Sequence, residues 1–225
     1  MGFIESQIAF IKQYGIAYLL GVRTTLMLSL IGVVFGFLLG IIICLMRMSK
    51  NKVFSFFGSA YVEIIRGTPM MVQLLLIYFG LRSKIPPSLE LLKNQILLCS
   101  VAICINAAAY IAELIRGGIE SVDKGQFEAG RCLGLSEKQT MKAIIFPQAL
   151  KNILPSLGNE FIALIKETAI VLNVGVADLT YMGNVIKGTT FEVFRPLMYA
   201  AILYFIMTFS LSKLMNKFER RLAND

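Results

Sequence analysis

The sequence predicts an all-α integral membrane protein with five core transmembrane helices and an ordered polar loop between the third and fourth. Three observations lead there. Apolar residues make up 56% of the 225-residue chain and the mean hydropathy is +0.71, more apolar surface than one soluble core of this size can hide. That surface is gathered into long runs almost free of charge, as a lipid solvent requires. The 22 Lys and Arg residues, against 14 Asp and Glu, flank those runs, so the net charge of +8 reads as orientation in a bilayer and not as a nucleic-acid stripe.

Several function classes weaken at once. The chain has no histidine, which removes the commonest general base and metal ligand. Cys44, Cys99, Cys104 and Cys132 show no C-x-x-C spacing, so neither a disulfide nor a metal site is expected.

A span needs about 20 helical residues, because the hydrocarbon is about 30 Å thick and a helix rises about 1.5 Å per residue. The first span is 24–46, uncharged and ending at Arg47. It is too long for a signal-peptide core and is expected to stay in the mature protein. The second, 54–81, is interrupted by Glu63, Arg66 and the breaker Gly67-Thr68-Pro69. That breaker suggests a hinge or gate, or equally a static kink, since Pro69 leaves a backbone carbonyl in need of another partner. The third span is 94–115. The fourth, 145–172, is atypical because it holds Glu160, Lys166 and Glu167, which must face protein or water. The fifth is 195–216.

Arg47, Lys50 and Lys52, the basic residues of 116–151, and Lys213, Lys217, Arg220 and Arg221 place the odd-to-even loops and the C-terminus in the cytoplasm and the N-terminus outside. The whole of 1–225 is read as one transmembrane domain, with 117–144 as its cytoplasmic loop. Gln126 to Cys132 contains good helix formers, Gly134 interrupts, and Ser136 with Gln139 has the form of a capping box, predicting two short helices around a glycine bend. Phe127, Leu133 and Leu135 are apolar residues that something must cover. The residues alone permit a docking knob or an amphipathic connector on the membrane surface.

Glu128-Ala129-Gly130, then Gly134, then Ile145-Phe146-Pro147 resembles the EAA loop of bacterial ABC importer permeases, with Gly130 where Ala is common. The runs Glu63 to Pro69, Ala109 to Gly118, Pro147 to Leu150 and Gly158 to Thr168 are similar to patterns of the polar amino-acid permease family, in order from about Arg23 to the C-terminus. The resemblance implies a type I ABC importer permease fold in a bacterial cytoplasmic (inner) membrane. It implies a partner ATPase dimer carrying ATP and Mg, a second permease subunit in a homo- or heterodimer, a substrate-binding protein, and a polar amino acid as cargo. No cofactor is expected in this chain, which lacks a G-x-x-x-x-G-K-[ST] run and is read as a translocation subunit, not an enzyme.

On that reading Phe127, Glu128, Ala129, Gly130, Arg131, Gly134 and Pro147 couple to the ATPase, with Glu128 the polar and Phe127 the apolar anchor. Arg66, Gly67, Thr68 and Pro69 form the gate or hinge. A zwitterionic cargo calls for fixed charges of both signs and hydrogen-bonding groups. Asn106, Tyr110, Asn159, Glu160, Lys166, Glu167, Thr168 and Gln73 supply these, with Lys166 for the carboxylate and Glu160 or Glu167 for the ammonium. An internal ion-pair network is the other reading of the same charges. Asn106, Tyr110 and Glu113 share one face of span three, Glu113 within reach of Arg116, and Arg66, Met70 and Gln73 are expected to share one of span two. The competing functions are a secondary transporter or channel, an ABC permease for another solute, and, last, a membrane enzyme.

Overall fold

A computed structural model describes residues 2–224 and contains no strand among them. Helix α1 spans Phe3–Arg47, α2 Lys52–Arg66, α3 Met70–Lys84 and α4 Gln95–Glu120. In the loop lie α5, Lys124–Cys132, and α6, Glu137–Thr140. A π-helical turn, Met141–Ile145, runs straight into α7, Phe146–Glu167, whose end tightens into a 3-10 segment, Thr168–Val174. Helices α8, Leu179–Thr190, and α9, Phe194–Asn224, close the chain.

Side-chain caps set most of these starts, each answering amide groups that a helix N-terminus leaves without partners. Asn51 accepts from the Val53 amide, Asn94 from Ile96 and Leu97, Asp123 from Gly125, and Asp178 from Thr180 and Tyr181. Ser136 and Gln139 form the reciprocal capping box that their spacing predicts.

The axis of the bundle is the pairing of α1 with α4. Gly32, Gly36 and Gly40 lie one turn apart on α1, and a Cβ on them would stand 2.6 Å from Ile103 Cγ2, 2.8 Å from Ala107 Cβ and 3.0 Å from Ile111 Cγ2, respectively. Small residues at this spacing let two helix backbones approach closely, which is how helices gain van der Waals contact where lipid removes the hydrophobic drive. Leu28, Ile103, Ala107, Ile111 and Leu164 are fully buried around this seam.

Three features depart from the expected spans. Helix α1 begins at Phe3, not near residue 24; its 45 residues reach about 67 Å at 1.5 Å per residue, twice what the hydrocarbon needs. Its first turns are held by the far end of the bundle, where Phe10 stacks on Tyr199 and the Tyr18 hydroxyl donates to the Pro196 carbonyl at 2.8 Å. Secondly, the second span is two helices, α2 and α3, meeting at 106°. Arg66 and the pair Met70 and Gln73 therefore do not share one continuous face. Thirdly, α8 lies in a region read as loop. It docks against α1 where the Leu179 amide donates to Thr25 Oγ1 at 3.2 Å and where a Cβ on Gly21 would sit 2.8 Å from Leu179 Cα.

Helices α1, α4 and α9 are each long and apolar enough to cross a membrane, and α2 with α3 would make a fourth. Helix α7, which carries Lys151, Glu160, Lys166 and Glu167, is not in that group.

Candidate functional site

Two constellations bring the sequence-marked residues together: the break between α2 and α3, read by one face of α4, and the α5–α6 loop.

At the break, Pro69 has no amide to give the carbonyl of Ile65, four residues earlier. Gln73 supplies the missing donor. Its Nε2 lies 2.7 Å from the Ile65 oxygen, 3.0 Å from the Thr68 carbonyl and 2.7 Å from Thr68 Oγ1. Its Oε1 accepts from Asn106 Nδ2 at 3.0 Å. Both amide side chains are buried, so each group left unanswered here would carry a desolvation cost. Thr68 Oγ1 in turn donates to the Ile64 carbonyl at 2.9 Å. Of the residues proposed to line a path, Gln73 thus holds the break through its amide, and Asn106 gives one amide hydrogen bond to Gln73.

One and two turns along α4, Tyr110 and Glu113 face the same break, as their spacing requires. The Arg66 guanidinium lies 5.4 Å from the Tyr110 ring centroid, a favourable cation–π placement, and 3.9 Å from Glu113 Oε1. Glu113 also pairs with Arg47 and, at 2.5 Å, with Arg116, which itself pairs with Glu120. Sequence spacing found the Arg116 pair; the contribution of Arg47 depends on how α1 packs and carries no local signal. One carboxylate shared among three guanidinium groups ties the ends of α1, α2 and α4 together.

Along α7, Asn159, Lys166 and Glu167 are exposed and Glu160 is half-buried. Thr168 is fully buried, its hydroxyl donating to the Ile165 carbonyl at 2.9 Å.

The loop is built as a rigid corner. The Leu135 amide donates to the Gly130 carbonyl at 3.1 Å, Arg131 Nη1 to the Leu135 carbonyl at 3.0 Å, and Thr140 Oγ1 to the Ser136 carbonyl at 3.0 Å. Gly134 turns the chain at φ +79° with nothing packed against it, a conformation that glycine adopts without a Cβ penalty. Gly130 is needed for a different reason, since a Cβ there would stand 2.6 Å from Thr140 Cγ2. Its smallness lets α5 lie against α6, a requirement that helix propensity alone does not reveal. Pro147 lies at the junction of the π-helical turn and α7.

Glu128, Ala129 and Arg131 are exposed, and Leu133 is 79% exposed. Phe127 turns inward, half-buried against the core. With Lys50, Glu137, Met141 and Phe146 it bounds a cleft of about 510 Å³. At the rim Lys50 Nζ donates to Glu137 Oε2 at 2.7 Å, which holds that carboxyl below its usual range.

Residues 32–224 match the family described as "Binding-protein-dependent transport system inner membrane component". The chain is 39% identical over 203 residues to the putative glutamine transport system permease protein GlnP of Rickettsia bellii (strain RML369-C), covering 90% of this chain and 91% of that protein. It is 35% identical over 205 residues to the arginine transport system permease protein ArtQ of Bacillus subtilis (strain 168), covering 91% and 92%. A crystal structure of an amino acid ABC transporter with histidines superposes with a TM-score of 0.88 at 43% identity, over 98% of this chain and 99% of that one.

Proposed function

The chain belongs to the binding-protein-dependent transport system inner membrane component family and has its all-helical ABC permease fold; from that premise we propose that it carries polar amino acids inward as the membrane subunit of an ATP-binding-cassette importer. The observation that carries the coupling part of this reading is the clamped corner of α5 and α6. A surface bearing Glu128, Ala129, Arg131 and Leu133 stands outward on a loop that cannot bend freely.

An ATPase subunit docked there would hold Mg and ATP, and the ATPase pair would close on binding nucleotide. Because Gly130 and Thr140 are in contact and α6 continues through the π-helical turn into α7, a displacement of α5 passes to α7 without being absorbed in the loop. Helix α7 carries Asn159, Glu160, Lys166 and Glu167, so the stroke arrives where a zwitterion would find charges of both signs. We assign Lys166 to the carboxylate and Glu160 or Glu167 to the ammonium. Arg66 and Tyr110 flank the path. Asn106, Gln73 and the Gly67-Thr68-Pro69 break form its fixed wall, while Phe127 supports α5 from behind and Leu133 offers the apolar contact.

The membrane arrangement that fits is five spans, formed by α1, α2 with α3, α4, α7 and α9, with the N-terminus outside and the C-terminus in the cytoplasm. A second permease subunit and a substrate-binding protein complete the importer.

The test is reconstitution with the partner ATPase and a screen of radiolabelled amino acids. Glu128→Lys is expected to lower both subunit association and substrate-stimulated ATP hydrolysis by about tenfold or more, and unchanged values for both would remove Glu128 from the interface. Lys166→Met is expected to abolish uptake while leaving the complex assembled; uptake at the level of the unaltered protein would overturn its assignment. Uptake that persists without any ATPase would replace the importer with a secondary transporter.

A further inference from the structure

We infer that the last turns of α9 form a binding site for an anionic phospholipid, an inference that rests on α9 lying in the membrane. Ile202, Ile206, Phe209, Lys213, Lys217 and Arg220 fall within an arc of about 80° around a helix advancing about 100° per residue. They make a single stripe on the side of α9 turned away from the bundle: Ile202 is 43% exposed, Ile206 52% and Phe209 49%, and Lys213, Lys217 and Arg220 are exposed as well. The opposite side, with Tyr204 and Met207, packs inward.

N-terminal to Ile202 the same arc holds Tyr199 and Arg195, which pack on Phe10 of α1; from Ile202 onward the face is exposed and changes character once. From Ile202 to Lys213 it is apolar over about 16 Å, close to the depth of one leaflet's hydrocarbon, half of about 30 Å. Beyond that, Lys213, Asn216, Lys217, Arg220 and Arg221, all on α9, line an open recess of about 300 Å³. Lys213 marks the junction, its ammonium 5.3 Å from the Phe209 ring centroid. Glu219, the acidic residue of this stretch, lies about 120° round from the stripe's centre and does not neutralise it.

An acyl chain laid along Ile202, Ile206 and Phe209 puts its phosphate at this recess, where lysines supply point charges and Arg220 a paired donor fork. Positive charge alone would serve to orient the chain. The match of apolar length to one leaflet, ending in a basic recess on the same face, is what selects a phospholipid over a protein partner.

The test uses the complex with its ATPase, reconstituted in phosphatidylcholine nanodiscs with and without phosphatidylglycerol, and counts retained lipid by native mass spectrometry. The unaltered complex is expected to retain phosphatidylglycerol in preference to phosphatidylcholine. Each basic charge at an anionic surface contributes about fivefold, so K213Q/K217Q/R220Q is expected to lose on the order of a hundredfold of that preference. Lys213→Arg with Lys217→Arg keeps it, and K84Q/K93Q/K187Q leaves it unchanged. If the triple variant does not assemble, Arg220→Gln alone is read for a loss of about fivefold. Equal retention of the two lipids, or an unaltered preference in the variants at α9, overturns the site. So does a variant that keeps phosphatidylglycerol but sheds the ATPase, which would make the recess a protein contact. Failure of the chain to float with vesicles would instead count against its membrane placement.

Discussion

The chain is interrupted by Gly67-Thr68-Pro69 and again at Gly134, and the two interruptions are solved in opposite ways. At the first, the polar groups bared by the break are met by buried side chains, Gln73 filling the place of the absent proline amide and Asn106 holding Gln73 in position. At the second, a Cβ on the glycine would meet nothing within 4 Å, and the turn is held by backbone and capping bonds on either side. A buried break must be answered by partners, so its cost of disruption is set by desolvation. An exposed bend is answered by water, so its cost is only that of the backbone conformation.

Mutations can break this contrast in graded steps, read as thermal unfolding of the detergent-purified complex. Gln73→Leu leaves the Ile65 carbonyl and the Asn106 amide unpaired and is expected to destabilise by about 3 kcal/mol, at about 1–3 kcal/mol per buried group. A loss no larger than that of an exposed substitution would mean that water reaches the break. Gly130→Ala forces a methyl against Thr140, an overpacking cost of about 1–3 kcal/mol partly offset by about 1 kcal/mol of helix propensity. Adding Thr140→Ser removes the opposing Cγ2 and should restore most of the loss, whereas additive behaviour would show that the two do not press on each other. Gly134→Ala is expected to cost about 1 kcal/mol from its left-handed backbone alone, with Gly134→Asn milder. Leu133→Ala should leave stability within about 0.5 kcal/mol yet reduce ATP-driven uptake; a stability loss larger than that would place Leu133 inside this chain's own packing.

The same contrast explains what the residues disclose on their own. Caps and breakers act over four residues, so the capping box at Ser136 and Gln139, the bend at Gly134 and the orphan carbonyl behind Pro69 are all legible. The identity of the donor that answers that carbonyl is not, because Gln73 can reach it only once the two helices meet at 106°. Asn106 and Gln73 are legible for the same reason only as polar residues in apolar runs: such a residue announces that it has a partner without saying which. Helix α8 escapes because Leu179–Thr190 contains two glycines and three threonines, a composition that hydropathy reads as loop, although Asp178 is an available cap signal. Phe127 is legible as an apolar loop residue, but the side it presents depends on how α5 lies on α6. The four-residue spacing of Gly32, Gly36 and Gly40 is visible in the sequence, whereas the helix they face is set by the packing of α1 on α4.

That seam has a mechanical consequence. With Ile103, Ala107 and Ile111 pressed against three positions that lack a Cβ, sliding α1 past α4 by even one residue would drive branched side chains into backbone, a barrier that packed interiors do not yield to gradually. The two helices therefore travel as one stiff spar. Any change of shape in this subunit has to be found at the lines where other helices lean on it, and α7, joined directly to the loop that receives the push, is the first of these.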